Sequence, residues 1–234
     1  MSKYTATFNR NEKKYVLTPS QRFAFEDAIR NHVHADTYGE HTICNIYFDN
    51  NDYESIEKSL DKPLYKEKLR LRSYNTPKAD SPVYLEIKKK FSGVVYKRRI
   101  QLSLDEANAY LFHQTPPTYP CQTFQEIDWL RSWMDLKPMT YIAYDRIAYA
   151  ECGNESVRLT LDTNIRWRQT SINLEEGEWG NAVDEGITVL EVKVGDAIPL
   201  WLSRILDQLH IYPNSYSKYG RCYTEIRKSE EYNV

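Results

Sequence analysis

Apolar and polar residues alternate with a period of two over most of this chain, and shift to three- and four-residue spacing in a few short stretches. The alternation predicts strands at residues 4–15, 42–49, 65–74, 83–90, 94–102, 140–150, 157–165, 187–194 and 217–226. Thr18-Pro19-Ser20-Gln21 has the form of a capping box with proline at the first helical position, which predicts a helix running to about Val33. Asp52 is placed to cap a short helix ending at Leu60, and Ser103-x-x-Glu106 opens another that ends near Phe112. Phe124, Ile127, Leu130, Trp133 and Met134 mark a helix over residues 124–136. Leu202, Ile205, Leu206 and Leu209 mark a last one after Pro199. Strands interrupted by helices predict an α+β fold on a large antiparallel sheet or barrel. No linker rich in Gly, Ser or Pro and no repeat divides the chain, so residues 1–234 read as a single domain.

The polar face of these strands is unusual. A half-buried strand normally shows mixed polar residues to water. Here Arg10, Glu12 and Lys14 share a face, and Lys66, Lys68, Arg70 and Arg72 lie opposite Leu69 and Leu71. Glu86 and Lys88 oppose Leu85 and Ile87, while Lys97 and Arg99 oppose Ile100 and Leu102. Tyr144 pairs with Arg146, Arg158 and Thr160 with Asp162, and Glu191 with Lys193. One such strand is ordinarily a solvated outer face. Seven fit a closed sheet with its apolar face outward against helices and its charged face lining a lumen. So many cations at close quarters repel unless an anion lies among them. Arg and Lys are the side chains suited to phosphate. Glu12, Glu86, Asp162 and Glu191 on the same face suggest a hard divalent cation, Mg²⁺ or Mn²⁺, shared with phosphate oxygens.

Composition narrows the partners. Apolar residues make up 41% of the 234, enough for a sizeable core, and the formal charge is −2. A globally basic nucleic-acid or membrane binder is therefore not expected. No apolar run approaches a membrane span, and the polar start MSKYTATFNRNEKKY has no signal-peptide core. Cys44, Cys121, Cys152 and Cys222 have no metal-ligand spacing and read as reduced thiols, so the expected compartment is the cytoplasm. No Gly-rich nucleotide loop is present. The scattered histidines, and Trp167, Trp179 and Trp201, read as structural. Residues 177–186 (GEWGNAVDEG) read equally as a mobile lid or a plain hairpin connection.

Taken in order, Arg10-x-Glu12-x-Lys14-Tyr15, Lys68-Leu-Arg70-Leu-Arg72, Glu86-Ile-Lys88, Lys97-Arg98-Arg99, Tyr144-x-Arg146, Arg158-Leu-Thr-Leu-Asp162, Leu190-Glu191-Val-Lys193 and Ser217-Lys218-Tyr219 resemble the VTC domain of polyphosphate polymerases. That domain falls within the triphosphate tunnel metalloenzyme (CYTH-like) superfamily. The resemblance implies an eight-stranded antiparallel β-barrel with helices packed outside. It also implies a metal-dependent polymerase that moves the terminal phosphate of ATP onto inorganic polyphosphate. By motif match, Lys14, Arg70, Arg72, Lys88, Arg146, Arg158 and Lys218 would hold phosphates. So would Lys97 and Arg99 (whose register the Lys-Arg-Arg triplet leaves ambiguous), Tyr144, Lys193 and Ser217. Arg70, Arg72, Lys88, Arg146 and Lys193 would serve the transfer itself. Glu191 would be the metal ligand, with Glu12 and Glu86 as further carboxylates.

Two departures matter. The hydrolytic branch begins Glu-x-Glu-x-Lys, whereas here Arg10 replaces the first carboxylate, which favours transfer over hydrolysis. Ser215 stands where some relatives carry a lysine. The alternatives are hydrolysis of inorganic or organic triphosphate at the same site, and a non-catalytic polyphosphate or nucleotide binding module. Phosphoryl transfer itself needs alignment and charge neutralisation more than covalent help from the protein.

Overall fold

The structure, a computed structural model, describes residues 11–61, 63–92, 94–117 and 119–231. Residues 4–10 of the first expected strand, with Arg10, lie outside them. In chain order the elements are β1 (Asn11–Leu17), α1 (Pro19–Ile29), β2 (Val33–Ala35), β3 (His41–Asp49), α2 (Glu54–Leu60), β4 (Tyr65–Tyr74), β5 (Pro82–Phe91) and β6 (Val94–Ser103). Then follow α3 (Leu104–Phe112), α4 (Gln122–Met134), β7 (Lys137–Glu151), β8 (Asn154–Arg168), β9 (Asn181–Ala182), β10 (Thr188–Val194), α5 (Leu200–Gln208) and α6 (Lys218–Glu231). Eight strands hydrogen bond in the order β1-β10-β8-β7-β3-β4-β5-β6, with β2 beside β7 and β9 beside β8. The expected α+β class on a large antiparallel sheet is borne out.

The chain divides into two compact units. The first holds residues 43–143 and 167–181. Its core is the apolar face of β3, β4 and β5, with Ile46, Phe48, Leu69, Leu71, Leu85 and Ile87, packed under Leu104, Ala107 and Leu111 of α3 and Phe124, Ile127 and Leu130 of α4. The second holds residues 11–42, 144–166 and 182–231 of those described. There Tyr15, Leu17, Leu159, Leu161, Leu190 and Val192 pack under Phe25 and Ile29 of α1 and Leu202, Ile205 and Leu206 of α5. Each fully buried aliphatic side chain contributes roughly 1.5–3 kcal/mol. Because strand side chains alternate, Arg70 and Glu86 in the first unit and Lys14 and Glu191 in the second fall on the strand face opposite these apolar residues.

The capping boxes form as expected. Thr18 Oγ1 accepts from the Gln21 N–H and the Gln21 side chain accepts from the Thr18 N–H; Ser103 and Glu106 do the same for α3. Helix α1 ends earlier than expected, since Val33–Ala35 joins β7 as a strand. Helix α2 is capped not by Asp52 but by the buried Asp49, whose carboxylate accepts from the Ser55 and Ile56 N–H groups at 2.8 and 3.1 Å. The larger correction is residues 217–226, expected as a strand, which form the first turns of α6. Tyr219, Cys222, Tyr223 and Ile226 are its buried face, an i, i+3, i+4, i+7 stripe. Among the described residues no helix is long and apolar enough to cross a membrane, and no disulfide forms.

Candidate functional site

In the first unit, register brings the charged positions into rows. Tyr47, Arg70, Glu86 and Arg99 lie side by side across β3, β4, β5 and β6, and Asn45, Arg72, Tyr84 and Gln101 form the next row. The register also resolves the Lys97-Arg98-Arg99 triplet. Lys97 and Arg99 share the face of Glu86, while Arg98 points to the helix side and pairs with Glu126 of α4. Glu86 is the centre of this group and only 2% exposed. Its Oε2 accepts from Arg70 Nε at 2.7 Å and lies 4.0 Å from Arg72, and its Oε1 is 2.6 Å from Lys97 Nζ. Arg70 also donates to the Tyr47 hydroxyl at 3.2 Å, and Arg72 Nε to Asn45 Oδ1 at 2.9 Å. Arg99 lies over the Tyr84 ring. Lys88 is exposed on the same face, in the row of Lys68 and Lys97.

The electrostatics of this group are lopsided, with three cations on one carboxylate. Burial opposes ionisation of Glu86, but Arg70, Arg72 and Lys97 outweigh it and hold the pKa far below the ordinary range. Loss of water around the Lys97 ammonium lowers its pKa to about 7 despite Glu86, with Arg70 and Arg72 adding repulsion. Its side chain nevertheless stays 40% exposed.

The second unit gathers a different group. Lys14, Glu191 and Thr160 form one row across β1, β10 and β8, and Glu12, Lys193 and Arg158 the next. Asp162 is fully buried, and both its oxygens accept from Arg146, at 2.6 and 2.7 Å; Lys218 Nζ donates to it at 2.5 Å. Glu191 Oε1 faces Lys14 at 3.4 Å and Lys218 at 3.5 Å, and its Oε2 faces Lys193 at 3.2 Å and Arg146 at 3.6 Å. Tyr144 is buried, with Lys218 Nζ 4.4 Å and the Arg146 guanidinium 5.3 Å from its ring centre, an arrangement for cation–π attraction. Burial raises the pKa of Asp162 and Glu191, but the surrounding cations reverse this and both lie below the usual range. Burial lowers that of Lys218, but Asp162 and Glu191 outweigh it and the net shift is upward.

Lys14, Tyr144, Arg146, Arg158, Glu191, Lys193 and Lys218 thus gather in the second unit, and Arg70, Arg72, Glu86, Lys88, Lys97 and Arg99 in the first. Arg158 is exposed beside Lys193. Lys218 arrives from the start of a helix rather than from a strand, and Ser217 Oγ accepts from the Gly220 N–H at 3.1 Å, so that hydroxyl caps α6. Ser215 is exposed. The balancing anions that the sequence called for are in large part the chain's own, Glu86, Asp162 and Glu191. Asn45 and Tyr47 are additions that the charge pattern does not point to. Their signal lies in the polar positions of β3, which alternate with Cys44, Ile46 and Phe48.

The segment of the lid-or-hairpin alternative is fastened. Buried Arg168 donates to the carbonyls of Ser171, Asn173, Gly177 and Trp179 while stacking on the Tyr141 ring. A Cβ at Gly180 would lie 2.7 Å from the Trp167 carbonyl oxygen. This geometry favours a fixed connection over residues 171–180.

Among the described residues no three His, Cys, Asp or Glu side chains group to hold a metal by themselves. Glu191 offers two oxygens, both facing cations, with Glu12 4.0 Å beyond Lys14 Nζ. That donor set fits a hard divalent cation that takes most of its ligands from phosphate and one or two carboxylates from the protein.

A family model described as the VTC domain matches residues 9–226. No curated protein matches the sequence. Among solved structures, a candidate adenylate cyclase of Bacillus halodurans is similar over 91% of this chain and 96% of its own, at 16% identity and a TM-score of 0.57. A candidate adenylate cyclase of Vibrio parahaemolyticus is similar over 95% and 99%, at 12% identity and a TM-score of 0.50. These two likenesses bear on the fold, which they share across both units.

Proposed function

The chain belongs to the VTC domain family of the triphosphate tunnel superfamily, and from that premise we propose that it is a metal-dependent phosphotransferase that extends inorganic polyphosphate with the terminal phosphate of ATP, releasing ADP. The observation that carries this reading is the convergence of Lys14, Arg146, Lys193 and Lys218 on the single carboxylate Glu191. Four cations on one buried carboxylate, with Asp162 taking a second share of two of them, leave an excess of positive charge. A chain of phosphates is the ligand whose charge density answers it.

Arg146, oriented by both Asp162 oxygens, presents a fixed guanidinium to phosphate. Lys14 and Lys193 flank Glu191 and would swing from it to phosphate oxygens. Arg70, Arg72 and Lys97 would do the same from Glu86, and Arg99 from its place over the Tyr84 ring. Glu191, with Glu12 nearby, would hold Mg²⁺ or Mn²⁺, which when bound supplies Lewis-acid neutralisation of phosphate oxygens. The acceptor oxygen of a polyphosphate end is already ionised, so no strong general base is needed. Purified protein given ATP and Mn²⁺ should yield ADP and polyphosphate that resists nuclease and yields to exopolyphosphatase. Free phosphate as the sole phosphate product would defeat this reading.

Glu12 favours a second reading. It is the carboxylate that would help a metal activate water, and it shares Lys14 with Glu191. In that case the protein hydrolyses triphosphate. Release of orthophosphate from tripolyphosphate, lost in Glu12→Gln while ATP-dependent polymer is absent throughout, is the result that selects it.

A further inference from the structure

The four cations around Glu191 are not all placed in the same way. Arg146 and Lys193 stand on β7 and β10, and Lys193 is paired on both sides, with Glu12 of β1 and Arg158 of β8. Lys14 stands on β1, at the end of the strand order, and Lys218 follows residues 214–217, which belong to neither helix nor strand. A lysine stem is flexible, so its ammonium has a defined place only where the backbone beneath it does.

Two attachments meet on that stretch. One is to β1, where the Asn214 N–H donates to the Lys14 carbonyl at 2.7 Å and Lys14 Nζ donates to the Tyr216 carbonyl at 3.1 Å. The other is the side chain of Asp184, on the connection between β9 and β10. Its Oδ2 accepts from the Tyr216 hydroxyl and from Arg221 Nε, each at 2.7 Å, and its Oδ1 accepts from a second Arg221 nitrogen. Because Ser217 caps α6, Tyr216 is the residue before the cap and Arg221 the fourth of the helix. An apolar staple joins these two positions at many helix starts and fixes the angle at which the chain enters. Here a carboxylate from a separate segment joins them, and Lys218, the first residue of the helix, lies between the two ends.

The clasp has a firm base. Val183 is buried and its N–H donates to the Ile165 carbonyl at 2.9 Å. Asp184 itself has a left-handed backbone, φ 51°, which aspartate tolerates better than most residues. The bond from Arg221 outweighs burial and holds the Asp184 carboxyl below its ordinary pKa, so it is ionised at neutral pH.

We infer that Asp184 is a positioning residue of the phosphate site: by clasping Tyr216 to Arg221 it sets where Lys218 and Lys14 present their ammonium groups. The inference rests on the phosphate-handling reading above and adds to it a residue that acts only through its neighbours. Arg146 and Lys193, placed by their strands, are outside its reach.

Calorimetric titration of the intact chain with inorganic tripolyphosphate tests it. Asp184→Gly removes the carboxylate and keeps the left-handed backbone unstrained, and affinity should fall about tenfold. Asp184→Asn, which retains one acceptor oxygen, should recover part of this and lose about threefold. The deciding measurement is the dependence on background. In Lys193→Gln, the Asp184→Gly change should cost the same factor of about ten, whereas in Lys14→Gln/Lys218→Met it should cost about twofold or less, because the groups it places are gone. If the chain without Lys218 does not fold, Lys14→Gln alone replaces it, and the expected cost there is about threefold. A carboxylate that served the fold alone would cost the same in every background. That result, or wild-type affinity in a folded Asp184→Gly chain, overturns the assignment and leaves phosphate binding standing. Failure of the wild type to bind tripolyphosphate overturns both the assignment and the function it rests on.

Discussion

Lys97 and Lys218 are the same side chain placed beside a buried carboxylate, and the two proton affinities move in opposite directions. Lys97 meets one carboxylate, Glu86, in the company of Arg70 and Arg72, and its pKa falls to about 7. Lys218 meets two, Asp162 and Glu191, over the ring of Tyr144, and its pKa rises. The cation excess at each centre is the same: three against one at Glu86, four against two at Asp162 and Glu191. What differs is burial and sharing. Lys218 is 7% exposed within a closed lattice of ion pairs, whereas Lys97 is 40% exposed on a single carboxylate. The Glu191 centre is therefore the more tightly fixed of the two, and the Glu86 centre the one whose lysine can change charge near neutral pH.

The largest expected effect tests the more tightly fixed centre. Glu191→Gln should lower turnover by about 10³-fold, as expected when a charge-positioning group is removed from a transfer site. Tripolyphosphate binding should persist or tighten, because one negative charge leaves and the four cations stay. Steady-state rates beside titration calorimetry separate these, and parallel loss of both would mean that Glu191 acts chiefly by holding the lysines in place.

Asp162→Asn strikes the same lattice through stability. Removing one partner of a buried ion pair costs about 3–5 kcal/mol, or roughly 10 °C in melting temperature for a chain of this size. The pH sign follows from the lowered pKa values of Asp162 and Glu191. Their stabilisation is present above the ordinary carboxylate range and lost as pH falls through the folded-state values. The variant should accordingly show a shallower decline in acid than the wild type. An unchanged acid limb in thermal melts would place the acid sensitivity elsewhere.

Much of this contrast could be read before any coordinates, and the part that could not has a definite cause. Alternation alone put Arg70, Glu86, Arg146, Asp162 and Glu191 on polar strand faces, because strand periodicity is local. Which carboxylate meets which cation is set by register between strands distant in sequence, as in Arg146 with Asp162 or Lys14 with Glu191. The Lys97-Arg98-Arg99 ambiguity is of the same kind, and vanished once Glu86 was seen opposite Arg99. Helix α6 departs from the expected strand over residues 217–226 for another reason: local alternation competes there with the helical stripe Tyr219, Cys222, Tyr223 and Ile226, and the stripe wins. That departure concerns the element and not the residue, since Lys218 still reaches Asp162, from a helix start.

At the Glu86 centre, Lys97→Gln should weaken tripolyphosphate binding by about tenfold and abolish a proton effect. In the wild type at pH 8 most Lys97 is neutral, and an arriving anion restores its charge. Binding should then take up roughly half to one proton, seen as a dependence of the calorimetric heat on buffer ionisation enthalpy. Lys218, charged throughout, contributes none. Without ligand the sign is also fixed: a lysine whose folded pKa is depressed weighs against the fold while charged in both states. That penalty is relieved as pH rises from about 7 toward the ordinary lysine range of about 10.4. Proton uptake that survives in Lys97→Gln would assign the titration to another group.

The smallest effect asks whether the charged face and the helix face are energetically separate in both units. Helix α1 of the second unit and helix α3 of the first open with the same device, Thr18 with Gln21 and Ser103 with Glu106. Thr18→Ala and Ser103→Ala each remove one acceptor for a helix N–H, at a cost of about 1 kcal/mol. Both helices pack on the apolar side of their strands, opposite the cation rows. Each variant should therefore melt a few degrees lower while tripolyphosphate affinity stays within twofold. The two units differ here as well, since α3 carries Asp105 and Glu106 in its first turn and α1 carries no acid there. Glu106→Gln should for that reason lose a few tenths of a kcal/mol more at low salt than at high salt, as a charge near a helix N-terminus does. A cap variant in either unit that moved phosphate affinity tenfold would show that the helix layer sets the register of the charged rows.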